Sequence, residues 1–125
     1  MTVVAIIQAR MSSSRLPGKV LLPLVEKPVL AHVIERLSYS RLIEKIVVAT
    51  SVDSSDDPIA NFCRENHVLC FRGSLEDVLD RYYRAAIENH ADSVVRITAD
   101  CPVIDPVVVD AVITGFLSGN YDLFG

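Results

Sequence analysis

The sequence predicts an α/β fold of three layers, α/β/α, with a mostly parallel sheet in the middle. Three observations carry this. Half of the 125 residues are hydrophobic but only 6% are aromatic, an aliphatic balance suited to parallel strands covered by helices. Short Val/Ile-rich runs recur along the chain. Stretches with apolar residues at helical spacing separate them, which implies βαβ units. A chain of this length makes one domain, residues 1–125, able to bury roughly two-thirds of its unfolded surface.

The elements follow in order. Val3–Gln8 is a buried strand. Pro28 opens a helix with Val29, Leu30, Val33, Ile34 and Leu37 on one face. Residues 46–50 form a second strand, followed by a polar run at 51–57. Pro58 starts a helix from 59 to about 66, with Ile59, Phe62 and Cys63 inward. Residues 68–71 are a short third strand. The longest helix is expected from Leu75 to about Asn89, with Leu75, Val78, Leu79, Tyr82, Ala86 and Ile87 apolar. Residues 93–98 are a fourth strand. Asp105-Pro106 caps and begins a last helix through Val109, Val112, Ile113 and Phe116. Gly119-Asn120 ends it, and 121–124 reads as the start of another strand.

In such sheets ligands bind beyond the carboxyl ends of the strands. The polar clusters at 8–19, 51–57, 72–77 and 99–105 fall there. The first is the most informative. Residues 1–25 hold Arg10, Arg15 and Lys19 and no acid, a formal +3 in a chain of −4, so residues 26–125 carry −7. Ser12, Ser13 and Ser14 are small hydrogen-bonding residues that let a ligand approach the backbone. A cationic, small-residue loop after a buried strand suits a polyphosphate, whose charge it offsets. An acidic body with one basic loop argues against nucleic acid, which wants a broad basic face. Gly18-Lys19 lacks the upstream Gly and following Ser/Thr of a P-loop, and no GxGxxG follows the first strand.

The second informative run is Arg96-Ile97-Thr98-Ala99-Asp100-Cys101-Pro102. Asp100 directly follows a strand, where a carboxylate can hold Mg²⁺ shared with phosphate. Asp105 is better explained as a helix N-cap. In the third run, Phe71 to Tyr82, Ser74 and Asp77 make a capping-box-like pair. Arg72 and Arg81 are candidates to touch base or phosphate, with Arg81 also able to pair with Asp77 at i,i+4. Asp53, Asp56 and Asp57 read as helix-start charges ahead of Pro58. His32, His67 and His90 fall in or at the ends of helices and read as structural. Cys63, Cys70 and Cys101 include no close pair in sequence, so reduced thiols are expected rather than a disulfide or metal framework.

Taken together, the run from Gln8-Ala9-Arg10-Met11-Ser12 through Arg15-Leu16-Pro17-Gly18-Lys19 resembles the opening of the cytidylyltransferase family of spore-coat polysaccharide and acylneuraminate synthetases. Phe71-Arg72-Gly73, Asp77-Val78-Leu79-Asp80-Arg81-Tyr82-Tyr83 and the run from Arg96 to Pro102 resemble the spore-coat branch in order and spacing. The resemblance implies a nucleotide-diphospho-sugar transferase fold. It also implies transfer of CMP from CTP to a sugar or sugar acid, with release of pyrophosphate and use of Mg²⁺. Position by position, Arg10, Arg15 and Lys19 would hold the triphosphate. Gln8, Ala9 and their neighbours would bring backbone groups to the cytosine. Asp100 would coordinate the metal, with Lys19, Arg10 and Asp100 carrying the chemistry. Arg72 and Arg81 match motif positions near the nucleotide. Glu26 departs from the Gly the family often has there.

Members of this kind are about twice this length, as expected of a larger domain. These residues therefore read as the N-terminal half of a truncated transferase domain. The second half would supply the sugar pocket, a second metal carboxylate and the dimerisation element. A homo-oligomer and a cytoplasmic location are expected, with no membrane span and no signal peptide. Two rival readings remain. One is a glycosyltransferase of similar fold, although Asp53-Ser54-Ser55 and Asp100-Cys101-Pro102 lack its usual DxD triplet. The other is a non-catalytic nucleotide-binding or interaction module.

Overall fold

A computed structural model describes residues 2–12, 21, 23–24, 27–99, 110–111 and 113–114. The expected helix start at Asp105-Pro106, its end at 119–120 and the strand at 121–124 lie outside the described residues. Asp110, Ala111, Ile113 and Thr114 are helical, with Ile113 buried in the core.

Among the described residues, up to Thr98, the elements form in this chain order. They are β1 (Val3–Gln8), β2 (Pro23–Leu24), β3 (Lys27–Pro28), α1 (Val29–Ser38), β4 (Lys45–Ser51), α2 (Asp57–Glu65), β5 (Leu69–Gly73), α3 (Val78–Glu88) and β6 (Ser93–Thr98). A 3-10 turn, Ser54–Asp56, leads into α2. The main sheet is parallel, in the order β5-β4-β1-β6, with Ile6 opposite Val47 on one side and Arg96 on the other. The short antiparallel ribbon of β2 and β3 ahead of α1 was not foreseen.

The side-chain alternation of β1 explains the layers. Val3, Ala5 and Ile7 face Leu30, Val33 and Leu37 of α1 and Ile59 and Cys63 of α2. Val4 and Ile6 face the other way, with Val47 and Ala49, onto Tyr82 and Ala85 of α3. Both faces of β1 are therefore dry, and each Val or Ile so buried contributes about 1.5–3 kcal/mol. This is the expected three-layer α/β/α arrangement.

Helices α2 and α3 end alike. His67 and His90 take left-handed backbone, φ 57° and 54°. Val68 N–H donates to Cys63 O at 2.8 Å and His67 N–H to Arg64 O at 3.4 Å; Ala91 N–H donates to Ala86 O at 3.0 Å and His90 N–H to Ile87 O at 3.1 Å. Each is a Schellman close with His where Gly is usual.

Helix α3 departs from expectation at its start. It begins at Val78, and its N-cap is Asp77, whose carboxylate accepts from Asp80 N–H at 2.9 Å. Ser74 Oγ accepts from Asp77 N–H at 3.0 Å, so it closes the preceding turn and does not cap the helix. Both Ser and Asp are good caps, and the second wins. Leu75, Leu79 and Ile87, expected on the apolar face, are exposed along with Tyr83. A groove of about 660 Å³ runs beside Leu79 and Tyr83, between α3 and Val94 and Arg96 of β6.

Candidate functional site

All four strands of the main sheet point the same way, so their carboxyl ends share one rim. From β1 the chain steps out to β4 and β5, then returns to the far side of β1 as β6. The order reverses between β1 and β6, the switch point where open α/β sheets bind ligands. There Gln8 lies opposite Thr98, Ala99 N–H donates to Gln8 O at 3.0 Å, and Ala9 N–H donates to Ala49 O at 3.0 Å. The chain therefore delivers Arg10 from one strand and Ala99 from its neighbour at the same end.

Arg10 is anchored rather than free. Its Nε makes an ion pair with Asp56, and its Nη2 donates to Ser12 Oγ at 2.9 Å. Asp56 has no solvent exposure. Its carboxylate also accepts from Met11 N–H at 2.8 Å and from the Ser51 hydroxyl. Asp56 does stand at the start of α2, as its N-cap residue, but it makes no side-chain cap hydrogen bond there and its side chain is buried. A signal was available, because a carboxylate just past β4 falls on the rim beside Arg10.

The other acids of that run stay on the surface side. Asp53 accepts from Ser55 N–H at 3.0 Å and caps the 3-10 turn. Hydrogen bonds from the Ser55 hydroxyl and amide hold its carboxyl below the usual range, helped by the Arg10 and Arg72 charges. Asp57 pairs with Arg72 Nη1 at 2.9 Å. Arg72 also donates from Nε to Ser51 O and from Nη2 to Asp53 O, both at 2.8 Å. Three of its nitrogens thus brace β5 against the turn after β4.

Arg81 is 1% exposed. It does not meet Asp77 as the i,i+4 spacing allowed, because Asp77 caps α3. Instead Nη1 donates to Ser74 O at 2.9 Å, and Nη2 is buried with no partner. Burial pushes its pKa down, the Arg10 charge adds to this, and Tyr82 and Asp56 oppose it. The unpartnered Nη2 is a donor that an anionic or carbonyl oxygen would satisfy.

Sequence reasoning also missed Arg96, which lies over the Tyr82 ring at 4.5 Å from its centre with Nε buried and unpartnered. It missed Thr50, whose buried hydroxyl has no partner. Ser13, Ser14, Arg15, Lys19 and Asp100 lie outside the described residues. Among the described residues no group of three or more His, Cys, Asp or Glu is placed to hold a metal. The first metal-ligand candidate, Asp100, is covalently next to Ala99 at the switch point, and its carboxylate is the hard oxygen donor that Mg²⁺ prefers. Among the described residues no helix is long and apolar enough to cross a membrane. Cys63 of α2 and Cys70 of β5 interact as thiols.

Known proteins share this architecture. A solved cytidylyltransferase from Leptospira borgpetersenii superposes with a TM-score of 0.89 at 42% identity, over 94% of this chain and 50% of its own. A CMP:2-keto-3-deoxy-manno-octonic acid synthetase solved with CTP gives a TM-score of 0.78 at 30% identity, over 94% of this chain and 48% of that one. The fold is thus that of the nucleotide-diphospho-sugar transferases. In sequence, the spore coat polysaccharide biosynthesis protein SpsF of Bacillus subtilis is 38% identical over 121 residues, 94% of this chain and 50% of SpsF. The chain spans about half the length of the curated relatives it matches. The cytidylyltransferase family profile matches residues 4–123. With the fold, the rim and these likenesses in agreement, this chain belongs to the cytidylyltransferase family.

Proposed function

We propose that these residues form the nucleotide-binding half of a nucleotidyltransferase that moves CMP from CTP to a sugar or sugar acid, releasing pyrophosphate, for surface polysaccharide biosynthesis. The observation that supports it most is the anchored Arg10 guanidinium at the switch point of the sheet. Arg10, with Arg15 and Lys19 from the same loop, neutralises the triphosphate, and Ser12, Ser13 and Ser14 let it approach the backbone. The backbone around Gln8 and Ala9 meets the cytosine. The acceptor oxygen attacks the α-phosphorus in line, its new P–O bond forming as the bond to pyrophosphate breaks. The protein's task is to position the reactants and offset charge on the departing pyrophosphate. Magnesium, held with Asp100, supplies further positive charge against the phosphates when bound. The Arg81 Nη2 is suited to an oxygen of the nucleotide, while Arg72 serves through the brace it makes. Homo-oligomerisation and a cytoplasmic location follow from the same family resemblance.

The match to only half of each relative favours a second reading, a binding module without turnover. One experiment separates the two. The chain is mixed with CTP, Mg²⁺ and 3-deoxy-manno-octulosonate, and both CTP binding and pyrophosphate are followed. Binding with pyrophosphate release supports the enzyme, binding alone supports the module, and no binding of CTP overturns both.

A further inference from the structure

Asp56 stands at the position that should cap α2, with backbone φ −98° and ψ 4°, and yet gives α2 no hydrogen bond. Its carboxylate turns into the protein and loses all contact with solvent. Burying a carboxylate costs several kcal/mol unless charge and hydrogen bonds compensate it. Here they come from two separate segments. The Ser51 hydroxyl belongs to the end of β4, while the Met11 amide, at 2.8 Å, and the Arg10 guanidinium belong to the loop leaving β1. Asp56 is therefore the post to which the first residues of the cationic loop are tied.

Its chemistry suits holding better than reacting. Its oxygens already accept from Met11 and Ser51 and are paired with the Arg10 charge. The guanidinium it holds by charge also donates a hydrogen bond to Ser12, at 2.9 Å, so the restraint reaches two residues into the loop. The buried Arg81 side chain, also within the influence of Asp56, adds a second cation to the same balance.

We infer that Asp56 is a positioning residue for the nucleotide: it fixes the Arg10 guanidinium and the Met11 amide in their binding arrangement before any nucleotide arrives. The inference rests on the cytidylyl reading and extends it to a residue that touches no substrate. Restraint of this kind strengthens binding by lowering the ordering cost paid on association.

The test uses the whole chain and CTP. Asp56→Asn keeps the size and one acceptor but removes the charge, and should weaken CTP binding tenfold or more. If Asp56 acts through Arg10, the same substitution made on Arg10→Ala should change CTP affinity less than twofold. A merely structural role would weaken binding by the same factor in both backgrounds. Should Asp56→Asn fail to fold, the unaltered chain still decides. The Arg10 Nε–H resonance should be protected from exchange without CTP and little changed with it. A resonance that is protected only after CTP is added overturns the inference. CTP binding that Asp56→Asn leaves within twofold of the parent overturns the inference alone. No CTP binding by the unaltered chain overturns the cytidylyl reading, and the inference with it.

Discussion

The Arg10 guanidinium and the Asp56 carboxylate form an ion pair in which the acid is wholly buried and the base is only 20% exposed. It joins the loop after β1 to the turn after β4, segments 46 residues apart in sequence. Breaking a buried pair from one side leaves an uncompensated charge, at a cost of about 3–5 kcal/mol. Asp56→Ala should lose stability on that scale in urea unfolding. The neighbouring Asp57→Asn, which breaks an exposed pair with Arg72, should cost about 1 kcal/mol or less. Equal losses would mean that burial does not separate these two acids.

Gly73 tests the approach of Arg81 to β5. A Cβ at this position would stand 2.7 Å from the Phe71 ring and 3.1 Å from Cγ of Arg81. The Arg81 stem is buried and cannot swing away. Gly73→Ala should cost about 1–3 kcal/mol, as overpacking does. An unchanged denaturation midpoint would show that the stem can move.

His67 and His90 sit in left-handed backbone that an L side chain adopts at a cost. His67→Gly and His90→Gly should each stabilise the chain by about 0.5–1 kcal/mol, the relief outweighing the extra freedom of Gly in the unfolded state. Thermal unfolding of each variant measures this. A fall in midpoint would mean that the imidazoles make stabilising contacts of their own.

The two thiols should differ in reactivity. The hydrogen bond from Cys63 lowers the Cys70 pKa, opposed by burial and aided by the Arg72 charge. The same hydrogen bond and burial raise that of Cys63. Cys70 is also the exposed one of the pair. Since the thiolate is the nucleophile, alkylation at Cys70 should reach half its maximal rate below pH ~8.5, the ordinary thiol value, and Cys63 should lag far behind. Cys63→Ala should shift the Cys70 profile to higher pH. Peptide mapping after iodoacetamide treatment at several pH values reads both.

Much of the scaffold was legible because its strands are short aliphatic runs such as Val3–Gln8, buried on both faces, with helices at regular spacing between them. The start of α3 was not, since Ser74 and Asp77 are both good caps and the local sequence does not choose between them. The place of Asp56 at the start of α2 was legible, but its partners Arg10 and Met11 were not, because they lie far away in the chain. Arg72 reads from sequence as a candidate for base or phosphate, and in the structure two carbonyls and Asp57 hold it beside the rim. Arg10, by contrast, was placed correctly at the rim by the simplest rule, that loops at strand carboxyl ends meet.

The most direct measurement is calorimetric titration of CTP, with ATP and UTP for comparison, into the chain and into Arg10→Ala. The account predicts that CTP binds, that ATP and UTP bind more weakly, and that Arg10→Ala loses at least tenfold in affinity. A chain that ignores CTP, or one that binds it equally well without the Arg10 side chain, would contradict it.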